Sequence, residues 1–327
     1  MSEQPVVAGS VEADIIARLQ AGALAGEGVV VGIGDDAAVT RLPPDCELLT
    51  ATDALVEGTH FAAGAPPQSV GHRALAVNLS DIAAMGGRPL WASLALSVPE
   101  HDPAWTDAFA TGFSELAALH GVALIGGDTV RGPRSAVVTV QGAVAQGGAV
   151  LRSTAREGDL LCVTGTPGDA VGGRFLLEGR LDSVAGEADY LRGRFQYPQP
   201  RVIAGQRLRP LVTAMLDVSD GLDTDLRRLL AASGKGARPD VSALPCSTPL
   251  LNACGLRQAQ ACALLGGEDY ELAFTAAVAD MESVAVVARE LELRITVLAE
   301  VTGDTDLVWM DGAQPYVMPA GRYEHFA

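Results

Sequence analysis

Val29-Val30-Val31-Gly32-Ile33-Gly34-Asp35-Asp36-Ala37 can be read in two ways, and the choice decides which fold follows. Read as a strand running into G-x-G-x-x-A, with Asp53 about 20 residues on as a ribose-binding acid, it fits a dinucleotide-binding fold. Two physical objections stand against that reading. A pyrophosphate would meet the Asp35 and Asp36 carboxylates where it needs bare backbone N–H groups. The next segment, Ala37 to Cys46, carries Pro43-Pro44 and cannot form the helix such a fold requires. The stretch is read instead as a short strand that ends in an acidic loop.

Working outward, similar acidic motifs recur. Ala51-Thr52-Asp53, Gly126-Gly127-Asp128-Thr129 and Asp217-Val218-Ser219-Asp220-Gly221 each stand where an apolar run is expected to give way to a loop. The fifth motif, Asn78-Leu79-Ser80-Asp81, falls inside a helix predicted over Pro67 to Met85, with Asp81 about one turn from Val77. Aspartates just past buried strands can gather at one sheet edge. Clustered carboxylates repel, so they persist together when cations hold them. Oxygen ligands mixed with hydroxyls favour magnesium, which also keeps waters and phosphates in its shell. Any one of these motifs alone is ordinary turn chemistry, and Ser219-Asp220 would also serve as an N-cap for a helix starting at Gly221. His60 and Arg152, taken singly, read as surface residues. The joint pattern carries the inference.

Composition supports it. A formal charge of −17 argues against nucleic acid, whose binding rests on Lys and Arg neutralising phosphates. The same charge would repel phosphate ligands unless cations intervene. Lys235 is the only lysine, and Ser233-Gly234-Lys235-Gly236 reads as a helix C-cap and turn, which leaves no P-loop lysine. The five cysteines show no C-x-x-C pair and read as packed core residues. No apolar run is long enough to span a membrane and the first thirty residues lack the pattern of a secretory signal, so a cytoplasmic protein is expected.

The 327 residues favour two domains. Strands are expected at Val29–Ile33, Leu48–Thr52, Leu90–Val98, Val122–Ile125 and Ala136–Val144, with helices from Ser10 to about Gly22, over Pro67–Met85 and over Pro103–His120. Gln146-Gly147-Gly148 to Gly158 is the expected boundary, giving domains 1–148 and 149–327. Beyond it come strands at Leu160–Thr164, Val212–Leu216 and Tyr270–Phe274, and helices at Gly221–Ala232 and Met281–Leu291. Each half holds a Gly-Gly-acid element, Gly126-Gly127-Asp128 and Gly266-Gly267-Glu268. The class is mixed α/β (α+β).

Taken in order, these motifs resemble the thiamine-monophosphate kinase family of the aminoimidazole ribonucleotide synthetase-like superfamily. The likeness adds the Gly58-Thr59-His60-Phe61 turn, Ala84-Met85-Gly86, Val163-Thr164-Gly165-Thr166-Pro167-Gly168, Gly266-Gly267-Glu268-Asp269-Tyr270-Glu271-Leu272 and the terminal Tyr323-Glu324-His325-Phe326. The resemblance implies a two-domain fold whose N-terminal domain pairs strands with a second subunit in a homodimer, with ATP and several magnesium ions between the domains. It implies metal ligands at Asp36, Thr52, Asp53, Asp81, Asp128, Asp217 and Asp220, and an ATP site at Gly127, Asp128, Arg152 and Ser219. It further implies thiamine monophosphate contacts at His60 and Glu268. Two departures matter. Ala51 stands where the family often has Ser or Thr, and Ala320 where an aromatic residue is expected against the thiamine, a ring that Tyr323 would supply instead.

The chemistry implied is transfer of the ATP γ-phosphoryl group onto thiamine monophosphate. That acceptor is already a dianionic phosphate, so no general base is expected. Within the superfamily the rival is a synthetase that phosphorylates an amide or formyl oxygen. A selenophosphate-forming relative is disfavoured because no cysteine or lysine precedes Gly32. A non-catalytic sensor of thiamine phosphates is the remaining alternative.

Overall fold

A computed structural model describes residues 10–319, which form two compact units: residues 10–82 with Gly87–Gly147, and Ala83–Gly86 with residues 148–319. The first unit runs α1 (Val11–Ala21), β1 (Val29–Val31), β2 (Val39–Thr40), β3 (Cys46–Val56), α2 (Pro67–Ala84, whose end groups with the second unit), β4 (Arg88–Val98), α3 (Pro103–His120), β5 (Ala123–Arg131) and β6 (Ser135–Ala145). Its main sheet has the order β3-β6-β4-β5. β3 pairs antiparallel with β6 from Cys46 opposite Ala145 to Val56 opposite Ser135. β4 is antiparallel to β6 and parallel to β5.

Local chemistry sets the helix ends. Ser10 Oγ accepts from Ala13 N and starts α1. Asp102 accepts from Trp105 N ahead of Pro103, and Gly121 closes α3 in the left-handed conformation. Trp105, Phe109, Phe113 and Leu116, spaced three and four apart, are the buried face of α3. Removing the fully buried Phe109 side chain would cost about 3–5 kcal/mol. α2 and α3 touch backbone to backbone. A Cβ on Gly71 would lie 2.0 Å from Phe109 O, and one on Gly112 would lie 1.9 Å from Gln68 O. Any larger residue would push the helices apart.

The second unit runs β7 (Leu160–Thr164), α4 (Asp169–Leu177), α5 (Ala185–Gln196), α6 (Val202–Leu208), β8 (Ala214–Val218), α7 (Leu222–Ser233), β9 (Gly236–Ala237), α8 (Thr248–Leu265), β10 (Glu271–Ala276), α9 (Met281–Glu290) and β11 (Ile295–Thr302), with a short β12–β13 pair (Met310–Asp311, Gln314–Pro315). The five-stranded sheet is ordered β8-β10-β7-β11-β9, every neighbour antiparallel. Its core joins Leu161, Val163, Leu216 and Val218 to Leu222, Leu226 and Leu229 of α7. All five cysteines are free thiols, with Cys162 and Cys262 buried.

The expected elements are found, with differences that share a cause. Thr52-Asp53 lies in the middle of β3, and Gly126 to Thr129 lies inside β5, so neither motif follows a strand end. Strand pairing continues past the point where burial stops, and apolar runs report burial alone. β8 begins two residues later than the apolar run suggested. α8 was not expected. Ser247 caps it and Gly255, at φ 74 and ψ 167, breaks its helical geometry midway, which disperses the apolar period. Ala37 to Cys46 contains no helix, in keeping with Pro43-Pro44.

Candidate functional site

In the first unit, Asp35 and Asp36 from the loop after β1 and Asp128 from β5 line one cavity of 1190 Å³. Asp35 Oδ1 accepts from Asp36 N at 2.8 Å, and Asp128 Oδ1 accepts from Thr129 N at 2.9 Å. All three side chains are exposed. Gly127 enters the cavity lining at φ 155, with its Cα pressed on β4. A Cβ there would lie 1.8 Å from Leu94 O, so only glycine lets β5 carry Asp128 to this place.

Thr52 and Asp53 are both exposed, project from opposite faces of β3 as neighbours in a strand must, and do not line that cavity. Thr52 Oγ1 meets Thr139 Oγ1 at 2.8 Å across the β3–β6 pair. Asp53 N donates to Asn78 Oδ1 at 2.9 Å, and Asn78 Nδ2 donates to Ala74 O. Asn78 is fully buried and ties β3 to α2, the helix that carries Asp81. Its amide serves as donor and acceptor at once, which a leucine of similar size could not do. His60 sits in the turn after β3. Its Nδ1 accepts from Val56 N at 3.0 Å, which puts the neutral ring's proton on Nε2. Buried Arg73 donates to His60 O and holds the turn.

In the second unit, Asp217 is the penultimate residue of β8 and Ser219-Asp220 forms the loop into α7. The helix has Gly221 at its N-cap and no side-chain cap, so the capping role expected of Ser219-Asp220 is not made. The hydrogen bonds run the other way. Asp225 Oδ2 accepts from Ser219 N at 3.0 Å and Asp220 N at 2.9 Å, and Arg228 bridges Asp220 and Asp225 at 2.5 and 2.8 Å. Burial, together with the Asp217 and Asp220 charges, pushes the Asp225 carboxyl up to about 7, against the pull of the Asp220 N–H and Arg228. Glu268 is brought to the same place. Its N donates to Ser219 O at 2.8 Å, Tyr270 OH reaches its Oε2 at 3.3 Å, and its φ is 73. A non-glycine residue held there stores strain.

Arg152 is exposed, and its carbonyl accepts from Ser233 Oγ at the C-terminal end of α7. Twelve helical residues, about 18 Å, separate it from the Ser219–Asp220 end. Tyr323 and Ala320 lie outside the described residues. Asp225, Arg228 and Thr139 were not singled out from sequence. First-turn acids such as Asp225 ordinarily answer the helix dipole in solvent, and nothing linear in the chain marks this one as buried.

The donors available to a metal are carboxylate and hydroxyl oxygens. Among the described residues no three His, Cys, Asp or Glu side chains converge as a ready cage. Magnesium is commonly held by one or two carboxylates, with water and phosphate completing its shell, and the exposed Asp36 and Asp128 fit that requirement. Among the described residues, no helix is long and apolar enough to cross a membrane.

Comparison with known proteins places the chain among relatives. The family described as AIR synthase related protein, N-terminal domain, matches residues 34–146, and its C-terminal counterpart matches 156–311. The thiamine-monophosphate kinase of Escherichia coli (strain K12) is 42% identical over 301 residues, covering 91% of this chain and 93% of that one. The crystal structure of thiamine-monophosphate kinase from Stenotrophomonas maltophilia K279a is 41% identical, with a TM-score of 0.85 and 90% and 95% of the two chains covered. A structure of AaThiL complexed with AMPPCP and TMP is 28% identical, with a TM-score of 0.74 and coverage of 86% and 90%.

Proposed function

The chain belongs to the thiamine-monophosphate kinase family, and on that footing we propose that it transfers the γ-phosphoryl group of ATP directly onto thiamine monophosphate, giving thiamine diphosphate. The observation that carries the reading is the cavity where exposed Asp36 and Asp128 stand beside the bare backbone of Gly127. Carboxylates so placed repel a free polyphosphate and accept one that arrives with cations. The relative solved with AMPPCP and TMP supports the pairing of an ATP-like ligand with thiamine monophosphate.

Asp36, Thr52, Asp53, Asp81 and Asp128 in the first unit, and Asp217 and Asp220 in the second, would hold magnesium. Bound there, magnesium ions would offset the charge of two polyanions that must approach in line. Gly127 and Ser219 offer backbone and hydroxyl donors to ATP, and Arg152 a guanidinium fork. His60 and Glu268 contact the acceptor, Glu268 through the cationic thiazolium, and Tyr323 supplies a ring. The acceptor phosphate has a second pKa near 6 and is largely dianionic at neutral pH, so the chain needs no general base. The protein's share of catalysis is positioning. A homodimer in the cytoplasm completes the reading, and β3, an 11-residue edge strand of its sheet, offers the open backbone that strand pairing across subunits would use.

The test is incubation with ATP, magnesium and either thiamine monophosphate or free thiamine. Thiamine diphosphate should form from the monophosphate, and free thiamine should stay unphosphorylated. No product from the monophosphate, or equal use of free thiamine, would overturn the reading.

A further inference from the structure

We propose that the second unit carries a separate site for a small tetrahedral oxyanion, free phosphate or the phosphate of a monoester, in the cavity between α5 and the turn that precedes β11. The inference does not depend on the kinase reading. The cavity measures 640 Å³, a size suited to a small ligand. Arg194 and Arg201 line it, together with Thr166, Tyr190 and Arg294.

The arginines are arranged in an unusual way. Both converge on Glu271, whose side chain is fully buried. Arg201 gives it Nε and Nη2, at 2.7 and 2.5 Å, and Arg194 gives it Nη2 at 2.7 Å. Two guanidiniums thus share one carboxylate. The other acids near Arg194 are occupied elsewhere: Asp269 accepts from Gly168 N and Ala170 N, and Asp169 from the hydroxyls of Ser247, Thr166 and Tyr190. Burial pushes both of those carboxyls up, against the pull of these hydrogen bonds and of Arg194, and neither makes a hydrogen bond to the arginine pair.

Arg194 Nε is buried and has no hydrogen-bond partner among the described residues, a condition it shares with three other arginine Nε atoms, all of which lie outside this cavity. A buried guanidinium N–H without an acceptor is costly, and the group that relieves it is an oxygen carrying negative charge. Arg294 is exposed at the cavity and makes no ion pair among the described residues. The lining is not uniformly basic, since exposed Glu292 and Asp189, paired with Arg192 at 3.5 Å, also belong to it. That mixture favours a compact anion seated at the arginines over an extended polyanion, whose outer charges would meet the acids.

The site is tested in chelator, where magnesium-dependent nucleotide binding is silent. Intact protein is titrated with inorganic phosphate, ADP and thiamine monophosphate by calorimetry, alongside two variants. Gly193→Leu projects into the cavity from α5, and its Cβ meets nothing within 4 Å. Arg294→Glu reverses an exposed charge. Saturable binding of phosphate or thiamine monophosphate is expected, weakened about ten-fold or more in each variant, with ADP binding more weakly, while melting temperature and magnesium-dependent turnover stay at wild-type values. Binding of phosphate alone would identify the free ion as the ligand, binding of thiamine monophosphate alone would identify the monoester, and binding of ADP alone would overturn the compact-anion site. Absence of saturable binding for all three probes, or unchanged affinity in both variants, would overturn the proposal.

Discussion

The acids of the first unit and those of the second are balanced in different ways. Asp35, Asp36 and Asp128 are exposed around one cavity, and Asp35 and Asp128 each take the next residue's backbone N–H. In the second unit arginines answer the acids. Arg228 bridges Asp220 and Asp225, Arg227 pairs with buried Asp223, and Arg194 and Arg201 converge on Glu271. The contrast separates carboxylates that stand exposed with no arginine partner among the described residues from carboxylates that arginines neutralise. Substitution in the first group should cost activity. In the second it should cost stability at Asp225, Asp223 and Glu271, while substitution of Asp220, which pairs with Arg228 and is also proposed to hold magnesium, should cost both.

The largest expected effect is on turnover. Asp53→Asn and Asp128→Asn should each lower kcat about a thousand-fold, because an amide cannot supply the charge that holds a metal. Both should melt near the wild-type temperature, since exposed side chains of this kind contribute within about 0.5 kcal/mol. Near-normal turnover in both, with unchanged magnesium dependence, would break the comparison from its first side.

Glu271→Gln probes the other side. It leaves two arginines without their carboxylate and should cost about 3–5 kcal/mol in denaturant unfolding. Burial pushes the Glu271 carboxyl up, but Arg201, Arg194 and the Thr164 hydroxyl outweigh it and hold it below the ordinary 4.5. A depressed folded-state value gives stability that is present above 4.5 and lost as pH falls through the folded value. Stability of the wild type should therefore drop more steeply than that of the variant below pH 4.5. Parallel acid-unfolding curves would show that the arginines do not stabilise this charge.

A smaller effect sharpens the comparison at the cavity. Replacing Asp35 and Asp36 together by asparagine should weaken ATP binding about ten-fold with magnesium and little in chelator. Tighter binding in chelator, extended to NAD, would revive the dinucleotide reading of the same loop. The smallest effect is expected from Arg152→Lys, which keeps the charge and loses the planar fork. The KM for ATP should rise about three-fold, and unchanged kinetics would mark Arg152 as a surface residue with no part in the site.

Much of this was legible in the chain. Pro103 to His120 reads as a helix from its cap, its proline and its 3–4 apolar spacing, and the structure has those same bounds. Pro43-Pro44 excluded a helix after the acidic loop for reasons that act within one residue of the proline. The order of the short acidic motifs along the chain is enough to point to the family. Local sterics, capping and periodicity are encoded over a few residues, so one dimension suffices to read them.

Other features were decided only by the tertiary structure. Thr52-Asp53 and Gly126 to Thr129 lie within strands because a partner strand pairs with them, and that partner is far away in sequence. Asn78 is fixed as the tie to Asp53 by a contact 25 residues distant. Glu271 meets arginines that lie 70 and 77 residues away. Asp225 looks like any first-turn acid until burial raises its proton affinity. Hydrogen bonding across strands, desolvation and charge pairing depend on distance in space, which residue order along the chain does not specify.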